Sequence, residues 1–281
     1  MDRLVTYNDV EIPPFMYGTA WKKDQTARLV ELAVVSGFTG IDTANQLIHY
    51  QEALVGEALL ALAKKGVKRE SLFLQTKFTS VSGQDHRTPY DHAADLPTQV
   101  QQSFDSSLKH LNTDYLDSYV LHGPHSRWGL SQADCDVWAA MEEYYQAGKT
   151  KVIGISNVKV DQLQELCEKA SVKPMIVQNR CYAVMGWDKE VREVCKAQGI
   201  IYQGFSLLTA NQDVLRDPQV WEIAKRVEAN PLQIIFRFAL QIGMLPLTGT
   251  TNEQHMKDDF AVLAKFELSA EDVNKIELIA I

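Results

Sequence analysis

Gly40-Ile41-Asp42-Thr43-Ala44 is a short apolar run that ends in a carboxylate; a loop carries the chain from it through Tyr50 to an amphipathic stretch containing Gly56-Glu57-Ala58-Leu59. An apolar strand, a polar turn-off and a segment of helical spacing make one strand–helix unit. The unit recurs on both sides. Upstream, Phe15-Met16-Tyr17-Gly18-Thr19-Ala20-Trp21 reads as a strand ending in small residues, and Asp24 is a candidate cap for a helix bearing Leu29, Leu32, Ala33 and Val35. Before that, residues 3–12 alternate around the turn pair Asn8-Asp9, which predicts a short hairpin.

Downstream, strands are expected over 72–77, 115–121, 151–157, 175–178, 200–205 and 244–248. Helices are expected over 51–65, from a Thr98 cap to Leu111, and over 133–147, 159–170, 188–198, 217–229 and 231–242, with Ser269 capping the second of a final pair. The stretch from Phe78 to Pro97 is long, polar and broken by proline, which marks a functional loop rather than a connector. About eight nearly continuous apolar strands separated by amphipathic helices require a parallel sheet covered on both faces. No linker or composition shift divides the 281 residues, and no G-x-G-x-x-G follows the first strand. The expectation is α/β: a single-domain (β/α)8 TIM barrel spanning 1–281, with a short N-terminal hairpin and little or no C-terminal loop.

In such a barrel the chemistry gathers at the C-terminal ends of the strands. Three successive strands end here in Asp42, Lys77 and His122. Each alone is an ordinary turn, surface or rim residue. Together they place a carboxylate, an ammonium and an imidazole at one mouth. Tyr50, in the loop after Asp42, would sit beside them; a neighbouring cation lowers a phenol's pKa and makes it a usable general acid. That site donates a proton to a carbonyl oxygen and still needs a hydride.

These motifs resemble those of the aldo-keto reductases over essentially the whole chain. The resemblance rests on Gly37-Phe38-Thr39-Gly40-Ile41-Asp42-Thr43-Ala44 with Val55-Gly56-Glu57-Ala58-Leu59, and on Leu74-Gln75-Thr76-Lys77. It rests also on Tyr115-Leu116-Asp117-Ser118-Tyr119-Val120-Leu121-His122 and Gly154-Ile155-Ser156-Asn157, all in this order. It implies a (β/α)8 barrel that binds a nicotinamide cofactor, usually NADPH, and a catalytic tetrad of Asp42, Tyr50, Lys77 and His122. It further implies that Ser156, Asn157 and Gln178 hold the nicotinamide carboxamide, that Phe205 stacks on the ring and that Ser206 and Leu207 follow the pyrophosphate. Gly18, Thr19, Ala20 and Asp42 would also line the cofactor, and Trp21, Tyr50 and His122 the substrate.

The chain departs from the family pattern in three places. The tyrosine usually stands five residues after the aspartate, where Leu47 lies; Tyr50 comes three later, and Val55-Gly56 follows it one residue sooner than usual. Gly123-Pro124 replaces the tryptophan that often follows the histidine, leaving nearby Trp128 to supply an aromatic. Gly249 and His255 stand where many NADPH-specific members carry Lys and Arg for the second phosphate. Thr248-Gly249-Thr250-Thr251-Asn252 still offers hydroxyls and N–H groups at a helix N-terminus. NADPH stays the expected cofactor, with NADH admitted, and a short C-terminus predicts an open, permissive pocket.

The remaining features narrow the classes. A net charge of −8 without a basic stripe argues against nucleic acid, and no apolar run reaches membrane length. Scattered Cys135, Cys167, Cys181 and Cys195, and no signal-like N-terminus, predict reduced thiols in the cytoplasm. His122-x-x-His125 lies in a proline-bearing loop without a third ligand, so no metal is expected. The reading is NAD(P)H-dependent reduction of a small aldehyde or ketone, or the reverse oxidation of an alcohol, by a monomer or weak homodimer. A Schiff-base lyase or aldolase using Lys77, and a non-catalytic NADPH-sensing subunit, remain as alternatives.

Overall fold

The computed structural model describes residues 4–279. Arg3, at the start of the expected hairpin, and residues 280–281, where the expectation about the C-terminus falls, lie outside that range. The hairpin pairs β1 (Leu4–Val5) antiparallel with β2 (Glu11–Ile12). Its turn closes through Asp9, which adopts a left-handed φ of 63°, a conformation Asp tolerates better than most residues.

Eight parallel strands then close a barrel in chain order. They are β3 (Met16–Gly18), β4 (Gly40–Asp42), β5 (Phe73–Phe78), β6 (Leu116–Leu121), β7 (Thr150–Ser156), β8 (Ile176–Arg180), β9 (Ile201–Phe205) and β10 (Leu245–Thr248), and β10 pairs back onto β3. The first six are followed by α1 (Thr26–Val35), α2 (Glu52–Lys64), α3 (Leu96–Leu111), α4 (Gln132–Gln146), α5 (Val160–Lys169) and α6 (Lys189–Gln198). After β9 come α7 (Gln212–Arg216), α8 (Pro218–Arg226) and α9 (Pro231–Gln241), and after β10 come α10 (Glu253–Ala261) and α11 (Ala270–Leu278). The single-domain barrel and its hairpin are as the sequence predicts.

Three local expectations change. Asp24 falls in a single 3₁₀ turn rather than capping α1, whose N-cap Gln25 makes no side-chain bond. Asp95, not Thr98, caps α3: its carboxylate accepts the Thr98 N–H at 2.9 Å, and Pro97 suits the first turn, where no N–H partner is needed. The short helix α7 has no counterpart in the sequence reading, since five residues carry too little periodicity to stand out. Ser269 does cap α11, in a reciprocal box with Asp272.

Packing explains which end of the barrel is free for chemistry. At the N-terminal end, Ile12 from the hairpin packs with Met16, Phe73, Val152, Ile176, Ile201 and Leu245 and plugs the barrel. Outside the strands a continuous apolar shell joins them to the helices, with Phe15 set edge-on to Phe38 at 5.4 Å and tilted on Phe236 at 4.9 Å. Gly56 lets α2 meet α3 closely: a Cβ there would stand 1.8 Å from the His110 carbonyl oxygen. The plug leaves polar side chains to the C-terminal half of the strands.

Candidate active site

A layer of polar groups crosses the barrel above the plug. Gln75 Nε2 donates to Asp42 Oδ1 at 2.7 Å and to Gln203 Oε1 at 2.8 Å, Ser118 donates to Gln75 Oε1 at 2.9 Å, and Gln178 Nε2 donates to Gln203 Oε1 at 2.9 Å and Asp42 Oδ1 at 3.1 Å. These side chains are buried, so each needs its partners. The layer fixes Asp42, the last residue of β4, from below. Lys77 fixes it from the side: Nζ lies 2.6 Å from Asp42 Oδ1 and 2.8 Å from the Thr43 carbonyl oxygen, with the side chain 0% exposed. Burial pulls the Lys77 ammonium below its ordinary pKa, opposed by Asp42 and, more remotely, Glu52.

Tyr50 reaches this pair despite the altered loop. Its ring centroid is 5.3 Å from Lys77 Nζ and 5.9 Å from the His122 ring. The loop manages this by closing on itself and on its neighbours. The Tyr50 N–H donates to the Gln46 carbonyl at 3.0 Å, forming one helical turn over the inserted residues, and the Trp21 N–H donates to the His49 carbonyl at 2.7 Å. From the other side the 79–95 loop clamps it. Gln84 Nε2 donates to Asn45 O at 2.8 Å, Arg87 to Leu47 O at 3.2 Å, and Gln46 Nε2 to Gly83 O at 2.7 Å. The long polar loop therefore acts as the brace for the tyrosine.

The electrostatics differ from the expectation that Lys77 would draw the Tyr50 phenol down. Burial pushes its pKa well up, the Asp42 charge adds to that, and the Arg180 guanidinium opposes it. Tyr50 is thus a phenol that keeps its proton at neutral pH. His122, directly after β6, is held neutral: burial, then Lys77 and His49, lower its pKa to about 3. Its Nδ1 lies 2.7 Å from the Thr79 hydroxyl. When that hydroxyl donates to Nδ1, the proton of the neutral ring lies on Nε2.

These groups sit at one end of a trough of about 870 Å³. Of the residues expected around cofactor and substrate, Gly18, Ala20, Trp21, Asp42, Tyr50, His122, Ser156, Asn157, Gln178, Phe205, Ser206, Leu207, Thr248, Gly249, Thr250 and His255 all line it. Thr19 lies behind the wall, donating to the Asp42 carbonyl at 2.9 Å, and Thr251 and Asn252 are outside the lining, Asn252 serving as the N-cap of α10. Trp128 is not brought to the trough. It is 78% exposed with its ring under Lys159 Nζ at 3.7 Å, because the turn 126–129 is drawn toward α5 by Gln162, which donates to the Ser126 and Gly129 carbonyls.

The wall near β7 and β8 carries two side-chain amides whose NH2 groups are already bonded within the protein. Ser156 Oγ donates to the Gln178 carbonyl at 2.6 Å, and Asn157, at a left-handed φ of 53°, donates from Nδ2 to the His122 carbonyl at 2.8 Å. With the Gln178 and Asn157 NH2 groups committed, their side-chain oxygens remain as acceptors. At the far end Asp259 accepts from Thr248 Oγ1 at 2.7 Å; burial raises its carboxyl pKa to about 7. The structure also reveals groups the sequence reading passed over: Thr79, Lys22, Arg180, and Gln75 and Gln203 under Asp42. Thr79 and Arg180 lie at or just past strand ends, and that position is the signal that could have found them. Among the described residues no helix is long and apolar enough to cross a membrane, and no group of three or more His, Cys, Asp and Glu side chains is placed to hold a metal ion.

Comparison with known proteins agrees with this geometry. The family model described as "Aldo/keto reductase family" matches residues 15–281. Glyoxal reductase of Bacillus subtilis is 32% identical over 278 residues, covering 98% of this chain and 92% of the relative. Human aldo-keto reductase family 1 member C3 is 30% identical over 300 residues, covering 97% and 85%. The crystal structure of an aldo/keto reductase from Brucella melitensis superposes with a TM-score of 0.84 at 26% identity, covering 98% of this chain and 97% of that one. A matching barrel, a family model spanning nearly the whole chain and relatives of this coverage lead to one assignment: the chain belongs to the aldo/keto reductase family and is an oxidoreductase.

Proposed function

We propose that the protein catalyses NAD(P)H-dependent reduction of a small aldehyde or ketone to an alcohol, and the reverse, with Tyr50 as proton donor. The observation that carries this is the convergence of a protonated phenol, a neutral imidazole and a buried Asp42–Lys77 pair at one end of the trough. The residues present fit a nicotinamide: free acceptors on Asn157 and Gln178 suit the two N–H groups of its carboxamide, and Phe205 offers a ring face. A bound reduced nicotinamide would supply the hydride to the carbonyl carbon. NADPH is the expected donor, with NADH admitted because Gly249 and His255 bring no fixed cation.

The protein's own residues then have distinct tasks. Tyr50 gives its proton to the oxygen as charge develops there, and its raised pKa keeps that proton in place until then. His122 donates from Nε2 to the same oxygen and orients it. Lys77, held by Asp42 and Thr43, stabilises the phenolate that Tyr50 becomes. Trp21, its ring tilted against His49 with centroids 4.1 Å apart, forms the outer lip for the substrate. A Schiff base on Lys77 is not favoured, since its amine is fully buried and held between two oxygen acceptors. The reading extends to a one-domain cytoplasmic monomer or weak homodimer.

The test is a fluorescence titration with NADPH and NADH followed by nicotinamide oxidation with a panel of aldehydes and ketones. Tyr50→Phe is expected to lower turnover by about 10²- to 10⁴-fold with cofactor affinity nearly unchanged. Full activity in that variant would remove Tyr50 from the role, and cofactor binding without turnover of any carbonyl would favour a sensing subunit.

A further inference from the structure

Arg180 ends β8 and lines the same trough as Tyr50, next to Tyr182 and Phe205. Its guanidinium carbon is 5.6 Å from the Phe205 ring centroid, and its Nη1 reaches the Tyr182 hydroxyl at 3.5 Å. No carboxylate among the described residues pairs with it. The other charges along the trough are accounted for. Lys77 and Asp42 neutralise each other. Lys22 donates to the Gly249 carbonyl at 2.5 Å, on the Thr248–Thr250 side. Asp259 lies at that same far end, bonded to Thr248. Arg180 by contrast stands at the C-terminal end of β8, two residues beyond Gln178 and in register with Phe205.

A guanidinium without a counterion, at the mouth of a half-enclosed pocket in a chain of net charge −8, is a local reversal of sign. Its planar fork matches a carboxylate in two parallel hydrogen bonds, and Phe205 and Tyr182 flank it. Such a cation raises the local concentration of anions and fixes the end of a substrate remote from the reacting atom. The geometry points to an anion subsite at Arg180 that selects carbonyl substrates bearing a carboxylate, that is, short oxo acids reduced to hydroxy acids. This rests on the carbonyl-reductase reading above and adds the substrate class to it. The competing occupant is a phosphate of the dinucleotide, which shares the same anion chemistry. Lys22 is the cation on the side toward which the dinucleotide would extend, so the substrate carboxylate is the occupant assigned to Arg180.

The experiment compares 4-oxobutanoate with pentanal, a neutral aldehyde of similar length, in wild type and Arg180→Gln, alongside the cofactor dissociation constant from fluorescence quenching. Wild type is expected to prefer 4-oxobutanoate. R180Q should lower the ratio of kcat/KM for 4-oxobutanoate over pentanal about tenfold, mainly through KM, the lower end of what a hydrogen-bonded charge contributes. Raised salt should shift wild type in the same direction. Pentanal turnover without a preference for 4-oxobutanoate, or an R180Q ratio equal to wild type, overturns the subsite and leaves the carbonyl-reductase reading standing. A weakened cofactor with an unchanged ratio assigns Arg180 to the dinucleotide phosphate instead and overturns the proposal. No turnover of either aldehyde overturns both.

Discussion

Separating Asp42 from Lys77 should cost more than removing both. Lys77 is 0% exposed, and its ammonium has two acceptors, Asp42 Oδ1 at 2.6 Å and the Thr43 carbonyl at 2.8 Å. Asp42→Asn leaves that ammonium buried beside a neutral amide, and Lys77→Met leaves the carboxylate with only the Gln75 and Gln178 amides. Breaking a buried pair from one side costs about 3–5 kcal/mol. That is a large part of a domain's typical 5–15 kcal/mol or so. Asp42→Asn/Lys77→Met together removes both charges, keeps an oxygen facing Gln75 and replaces the ammonium stem with an apolar chain of similar length. Its expected cost is about 1–2 kcal/mol, chiefly from hydrogen bonds lost at the Thr43 carbonyl and weakened at the Gln75 and Gln178 amides. Urea unfolding followed by circular dichroism gives all three values, with a coupling of about 4 kcal/mol or more between the two sites. Additive single costs would refute the claim that each charge is tolerated only because of the other. The double variant should also be folded yet nearly inactive, because Tyr50 then ionises without the Lys77 ammonium beside it.

Two further outcomes follow from buried groups around the trough. Asp259 has a folded pKa of about 7 against 3.8 in the reference state, so between those values the folded protein holds a proton that the unfolded chain releases. Wild-type stability should fall as pH rises through that window and level off above it, while Asp259→Asn lacks the fall and gains at most about 4 kcal/mol relative to wild type at pH 8; parallel pH–stability curves by urea unfolding would contradict this. Thr79→Val should free the His122 tautomer, appear as mixed Nδ1–H and Nε2–H signals in nitrogen NMR and lower kcat about tenfold, with Thr79→Ser restoring both. A pure Nε2–H signal in the valine variant would show that Thr79 does not set it.

The barrel was legible because its signal is repeated. Each strand–helix unit carries the same pattern, so a misplaced cap such as Asp24 for α1, or Thr98 for Asp95 at α3, leaves the topology intact. The strand-end triad was legible for a related reason: Asp42, Lys77 and His122 sit where backbone register, not side-chain packing, determines position. What local patterns cannot show is contact across long sequence separation. Gln75 and Gln203 read singly as ordinary strand residues, and Gln178 only as a cofactor contact; barrel closure turns the three into the layer that holds Asp42. Trp128 looked available for the pocket because it follows His122 closely, yet Gln162, far along the chain, decides where its turn goes.

The tyrosine loop joins these cases. Its altered length left open whether Tyr50 could reach Lys77, since a loop's path is set by what it leans on. It leans on the 79–95 loop, whose Gln84 and Arg87 hold the carbonyls of Asn45 and Leu47, and which receives Gln46 at the Gly83 carbonyl. The same loop supplies Thr79, which sets the His122 ring. One irregular segment, outside the repeated units, thus places the proton donor and orients the imidazole together. One departure from the family pattern, the longer approach to the tyrosine, is met by that segment, which braces the loop before Tyr50 from outside. On this account a change in the 79–95 loop that breaks its hold on 45–47 would affect proton donation and carbonyl orientation at once, while the Asp42–Lys77 pair, fastened to the barrel itself, would stay in place.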